Sequence, residues 1–203
     1  MMSPLVQFAG IKRGFQNPVQ QTQRCFRSML DAVSRPGSIT TLPSPSEYPA
    51  GWTTGLTAAA LTLFDNDTKI WLDASAKSDD AVAYLQFHCG CVIVDEPEQA
   101  NFGVICSPTD GLNLNQFAIG DAQYPDRSAT LFLLVKQLTG GAELQCNGPG
   151  LKVPTGISPI GLPPDFASQW IDNHALYPNG IDIFLICGDQ ALGLPRSISI
   201  KEA

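Results

Sequence analysis

With 203 residues, the chain is long enough for one well-buried domain spanning 1–203, and no shift in composition divides it. Its formal net charge of -7, with no run of Lys or Arg, repels polyanions and argues against nucleic-acid binding or unaided capture of a nucleoside triphosphate. Charged residues make up 15% of the chain, against roughly 25% in an average soluble protein, a composition that suits either a subunit seated against partners or a loop-rich monomer.

The first helix is announced by Asn17-Pro18, a cap residue followed by a proline suited to the first helical position; Val19, Phe26, Met29, Leu30 and Val33 recur at helical spacing behind it. Ser34-Arg35-Pro36-Gly37 ends the helix, and Ser38–Leu42 follows as a short strand. Thr53 or Thr54 caps a second helix through Leu63, whose Ala58-Ala59-Ala60 run permits close packing on a sheet. Lys69–Leu72 reads as a strand. Ser78 caps a third helix with Asp79 and Asp80 in its first turn, ending near Phe87-His88. Val92-Ile93-Val94 is expected as a buried strand and Phe102–Cys106 as another, with Leu112–Ala118 a short helix or loop.

Ala129–Leu138 has the apolar core of a central strand, with Glu143–Cys146 beyond Gly140-Gly141 as its hairpin partner. The Gly- and Pro-rich Asn147–Gly161 is expected to be loop. A last helix starts around Pro163-Pro164-Asp165 and carries Phe166, Trp170, Ile171 and His174. The last ordered segment is expected over His174–Ser197. Its run Ile181–Cys187 is too continuous for a half-exposed strand, and Gly188-Asp189 turns it into a hairpin with Ala191–Leu194 along the sheet edge. Interleaved helices and buried strands predict an α/β sandwich with helices on both faces of a mixed sheet.

Six cysteines sit mostly in apolar segments, and MMSPLVQFAGIKRGF places its basic residues after a very short apolar stretch, the reverse of a secretory signal. Reduced thiols and a cytoplasmic location are expected. The longest apolar runs, such as Leu131–Val135, are far too short to span a bilayer, so no membrane association is expected.

Phe87-His88-Cys89-Gly90-Cys91 gathers soft-metal ligands, but the spacing is wrong for a zinc knuckle, and buried thiols beside a helix-end histidine explain it better; no metal is assigned. Asp65-Asn66-Asp67 lacks the alternating oxygens, glycine and glutamate of a calcium loop and reads as a turn. Pro149 removes a donor from Gly148-Pro149-Gly150, so this is a structural turn and no phosphate cradle. Arg24, Arg27, Asp31 and Arg35 lie three or four apart on the first helix; an arginine cluster can bind phosphate, but a solvated or partner-facing Arg27-Asp31-Arg35 charge ladder is the preferred reading. Asp126 and Arg127, in the loop before the central strand, are binding candidates or simply the turn that starts it.

Together, CFRSMLDAVSRPG (25–37), ALTLFDNDT (60–68), FHCGC (87–91), YPDRSATL (124–131), NGPG (147–150) and HALYPNGIDIFLICGDQALGLPRS resemble the PhnH family, the H subunit of the bacterial carbon-phosphorus lyase system. Val92 departs from the family's pattern, which often has proline there. The resemblance implies a three-layer α/β/α fold like that of pyridoxal-phosphate-dependent transferases without the cofactor. It also implies a homodimer in isolation, and in the cell a subunit of a core complex with the G, I and J subunits. That system forms ribose 1-phosphonate 5-triphosphate from ATP and a phosphonate. The resemblance supplies no catalytic residue and no cofactor, so no independent activity is expected. It makes Tyr177-Pro178, Asp182 and Pro195-Arg196 candidates for holding a shape that partners recognise; Asp182, an acid entering a buried strand, should have a partner, and Arg196 is the candidate. Two rivals belong to other classes: a pyridoxal-phosphate enzyme using Lys69, Lys136 or Lys152, and a thiol or metal enzyme built on His88, Cys89 and Cys91.

Overall fold

The runs 131–134 and 183–187 are apolar at consecutive positions because both of their faces are covered. In the computed structural model, which describes residues 10–202, the chain runs α1 (Pro18–Ser34), β1 (Ile39–Thr41), α2 (Thr54–Leu63), β2 (Lys69–Leu72), α3 (Asp79–His88), β3 (Val92–Val94), β4 (Phe102–Ile105), β5 (Thr130–Leu134), β6 (Leu144–Asn147), β7 (Thr155–Ile157), α4 (Phe166–Ala175), β8 (Asp182–Cys187), β9 (Gln190–Leu194) and β10 (Ser199–Glu202). The opening MMSPLVQFA, used above to argue against a secretory signal, lies outside the described residues.

The fold is mixed α/β. A seven-stranded sheet has the order β1-β9-β8-β5-β4-β2-β3, and its strands β3, β2, β4, β5 and β8 are parallel. β9 is antiparallel to both of its neighbours. Phe132, Phe184 and Ile186 point to the side covered by α1, α2 and α3, where Phe102, Phe132 and Phe184 stack with centroids 5.9 and 5.6 Å apart. Leu131, Leu133, Ile183 and Leu185 point to the other side, against Phe166 and Trp170 of α4 and a separate antiparallel sheet ordered β10-β6-β7. Trp170 buries its ring completely and donates its Nε1–H to the Ile198 carbonyl at 2.7 Å, so this large side chain leaves no polar atom unpaired.

Two of the predicted caps form and one does not. Thr53 Oγ1 accepts from the Leu56 amide and Ser78 Oγ from the Ala81 amide, each relieving one orphan donor of a helix start. Asn17 does precede α1, but its side chain makes no cap bond; its amide donates instead to Gln21 Oε1 at 2.8 Å. At the other end Gly37, at φ +84°, turns the chain into β1.

Five expectations are corrected. β9 is internal, because β1 pairs beyond it and closes that edge. β3 is only partly covered: it has the single neighbour β2, and Val92 is 51% exposed. β6 is no hairpin partner of β5. Close packing of Gly141 on the Pro159 backbone helps to carry the chain to the second layer, where Leu144 and Cys146 face α4 and Gln145 faces outward. Residues 147–161 contain β7, paired to β6. The chain also stays ordered past Ser197, where β10 pairs with β6 from Ser199↔Asn147 to Glu202↔Leu144.

α1 lies directly on β9. A Cβ added at Gly193 would stand 2.7 Å from the Ala32 carbonyl carbon and 2.8 Å from the Val33 nitrogen, so only glycine lets the helix backbone approach this far. Gly193→Ala is expected to lower stability by about 1–3 kcal/mol in urea unfolding, because helix backbone must shift; an unchanged midpoint would show that α1 is not seated on β9 this closely.

Candidate functional site

The β8–β9 hairpin determines where its two ends meet. Cys187 pairs with Gln190 across the Gly188-Asp189 turn, and the register runs back to Ile183↔Leu194, which brings residue 196 beside residue 182. Asp182 therefore finds the partner its position demands. The Arg196 amide donates to Asp182 Oδ1 at 2.7 Å, and Arg196 Nε stands 3.1 and 3.2 Å from the two carboxylate oxygens, with Nη2 also on Oδ2. The pair is partly buried, with side chains 15% exposed for Arg196 and 25% for Asp182.

Arg196 does more than neutralise an acid. Its Nη1 donates to the Pro125 carbonyl at 2.7 Å, and its own carbonyl lies 3.0 Å from His174 Nδ1. One guanidinium group and its backbone thus clasp the loop before β5, the start of β8 and the end of α4. The planar fork suits this, since it serves a carboxylate and a carbonyl at once. Beside the clasp, Asn173 is buried and brackets Ile181, accepting from its amide at 2.8 Å and donating to its carbonyl at 3.0 Å.

The clasp opens onto a broad depression of about 600 Å³ between α1 and the sheet, lined by Leu30, Asp31, Val33, Thr130, Asp182 and Phe184 among others. Asp31 pairs with Arg35 at 2.8 Å, so Arg35 reaches this site through its partner. The ladder is shorter than expected: among the described residues Arg27 makes no ion pair with Asp31. Arg127 lies 3.9 Å over the ring of the exposed Tyr124, and Asp126 is exposed beside it. Asp182, Arg196 and the backbone of the 124–128 loop are therefore brought together, while the Asp126 and Arg127 side chains stand on its outer surface. His174 and the Pro125 carbonyl were not legible, because their roles depend on the hairpin register. Ser128, in the same loop, buries a hydroxyl that has no hydrogen-bond partner among the described residues.

The His-Cys cluster is dispersed. His88 Nε2 lies 2.9 Å from the Lys12 carbonyl, Cys89 Sγ points to the Ala60 carbonyl and Cys91 Sγ to the Leu85 carbonyl. Among the described residues no group of three or more His, Cys, Asp or Glu is placed to hold a metal ion. Burial raises the thiols from the usual 9.0, Cys25, Cys91 and Cys146 to about 11 and Cys89 and Cys106 to about 12. The Gly-Pro-Gly segment is a turn packed on α1, since a Cβ at Gly150 would stand 2.5 Å from the Ser34 carbonyl oxygen. Asp65–Thr68 is likewise a turn, with the Asp67 amide bonded to Asp65 Oδ1.

The fold and site define a mixed α/β protein built around an ion-paired loop clasp beside an open depression. The chain belongs to the PhnH family of bacterial phosphonate metabolism proteins, whose model matches residues 13–201. It is 37% identical over 187 residues to the alpha-D-ribose 1-methylphosphonate 5-triphosphate synthase subunit PhnH of Rhizobium meliloti, covering 92% of this chain and 94% of that one. HtxG of Stutzerimonas stutzeri, assigned by name to a C-P lyase subunit, is 27% identical over 191 residues, covering 93% of this chain and 89% of its own length.

Replacing Arg196 with Gln leaves Asp182 and the Pro125 carbonyl short of donors, and a loss of about 2–4 kcal/mol is expected, near the lower end for breaking a buried pair because both groups keep some solvent. A double-mutant cycle with Asp182→Asn should show strong coupling; additive losses would mean the clasp is not one unit. The thiols give a pH test. Their raised folded-state values mean the unfolded chain loses its thiol protons first, so stability is complete below about pH 9 and falls as pH rises from there towards 12. Iodoacetamide at pH 7.5 should therefore leave Cys89 and Cys91 unlabelled in the folded protein, whereas rapid labelling would revive the thiol-enzyme reading.

Proposed function

We propose that this chain is an accessory subunit of the carbon-phosphorus lyase system, without independent catalysis. Assembled with the G, I and J subunits in the cytoplasm, it supports formation of ribose 1-phosphonate 5-triphosphate from ATP and a phosphonate. Alone it is a homodimer of single-domain chains. The observation that carries this reading is 37% identity extending over nearly the full length of both this chain and a subunit of the ribose 1-methylphosphonate 5-triphosphate synthase. The finer likeness to the framework of pyridoxal-phosphate-dependent transferases belongs to the same reading. It does not extend to the cofactor: Lys69, Lys136 and Lys152 are all exposed, which leaves none with the desolvated surroundings that activate a Schiff-base lysine.

A second observation supports a partner-bound role. On α1, Val19 is 85% exposed, Phe26 46% and Leu30 49%, and their seven- and four-residue spacing sets them along one helix face. Of the five apolar residues at helical spacing, Met29 joins Cys25 and Ala32 in the core and Val33 packs against it, while Val19, Phe26 and Leu30 turn away. The stripe ends at the depression beside Asp182, with which it shares Leu30. Apolar surface of this kind at a charge-poor exterior suits burial against another subunit.

Co-expression with the G, I and J subunits is the direct test. The wild-type chain should co-purify in a stable assembly, and the Phe26→Asp, Leu30→Asp double variant should lose at least one contact while keeping its circular-dichroism spectrum. Wild-type protein that fails to assemble would overturn the proposal; a double variant that assembles normally and still sedimented as a dimer would remove α1 from both interfaces.

A further inference from the structure

The parallel sheet changes direction between β2 and β4. β3, which follows β2, is added on one side of it, while β4 is added on the other, so the segments leaving the carboxyl ends of β2 and β4 part from each other. Such a switch point leaves a crevice where open α/β sheets commonly take ligands. A cavity of about 330 Å³ lies there, at the carboxyl ends of β2 and β4, whereas the Asp182–Arg196 clasp stands at the amino end of β8 and shares no residue with its lining.

Its walls are chemically mixed. Asp73, the first residue after β2, bridges the crevice: Oδ1 accepts from the Ala76 amide at 2.6 Å and Oδ2 from the Ser107 amide at 3.1 Å, the latter just beyond β4. These bonds fix the carboxylate at the mouth and leave each oxygen a further lone pair. Asp110 adds a second, exposed carboxylate. Trp71 and Phe117 meet edge to face at 5.5 Å and supply aromatic surface; Gly103 makes room for Phe117, since a Cβ there would lie 2.8 Å from Phe117 Cε1. Asn113 spends its Oδ1 on the Asn115 amide, which leaves its NH₂ free to donate, and Gln116 lines the same wall.

No Lys or Arg lines this cavity. Two carboxylates and a chain of net charge -7 repel phosphate and phosphonate groups and favour ligands that donate hydrogen bonds. Aromatic surface beside acids and amides fits a ring whose edges carry hydroxyls and whose faces carry C–H groups. We propose that the switch-point crevice binds a carbohydrate-type ring, neutral or amino-substituted and bearing no phosphate or phosphonate, with hydroxyls donated to Asp73 and Asp110 and a ring face on Trp71. This site is independent of the partner-facing stripe on α1.

The test uses the intact protein with D-xylose, D-glucose and D-glucosamine as probes and methylphosphonate as the anionic counterpart. Saturation-transfer NMR should detect at least one ring probe, with a matching change in tryptophan emission that disappears in Trp71→Phe, since Trp71 lines the cavity whereas Trp52 and Trp170 are buried and outside its lining. Asp110 and Gln116 are exposed, so Asp110→Asn with Gln116→Ala should leave the fold intact and weaken binding by about tenfold or more. The proposal is overturned if none of the three rings gives a saturable signal, if the double variant binds them unchanged, or if methylphosphonate competes for the site.

Discussion

β5 and β8 lie side by side in parallel, paired from Thr130↔Asp182 to Leu134↔Ile186, and the rest of the molecule is arranged by that pairing. Each strand sends Leu or Ile to one layer and Phe to the other, so two cores form back to back on a single backbone ladder. Burying each such side chain is worth about 1.5–3 kcal/mol. The same pairing carries Asp182 to the sheet margin, where a carboxylate cannot be left alone, and the hairpin register delivers Arg196 to it. Core and clasp are thus two results of one strand alignment.

Much of this was legible because it is local. The Thr53 and Ser78 caps, the proline opening α1, the strand Lys69–Leu72 and the two-residue hairpin turn each depend on a few neighbouring residues. What was not legible depends on pairing across long separations. β6 pairs with β7 and with β10, the latter more than fifty residues away, and nothing in Glu143–Cys146 distinguishes that from a hairpin with β5. β7 was hidden by its Gly- and Pro-rich surroundings, and β3 carries three β-branched residues that read as core although only one neighbour covers them. Helical spacing likewise cannot say whether a stripe faces inward. On α1 the small Ala32 and the thiol of Cys25 enter the core, and Phe26 stays outside.

The candidate residues divide along the same line. Asp182 and its need for a partner follow from hydrophobic context alone, and the Arg196 pairing follows once the hairpin is drawn. That the guanidinium also holds the Pro125 carbonyl requires the crossover from β4 to β5 to be known. Asp126 and Arg127 were well placed in sequence, but it is their backbone neighbour that enters the clasp. The conspicuous side chains thus remain on the surface, while the less conspicuous atoms hold that surface in shape.

The two ends of the large sheet carry a further implication. Both are three-residue strands, β1 and β3, and each presents too short a row of free amide and carbonyl groups to template another strand. Recruitment by strand addition needs a longer open edge. At its two margins the large sheet therefore offers little backbone ladder to continue, and what it presents there is side-chain surface.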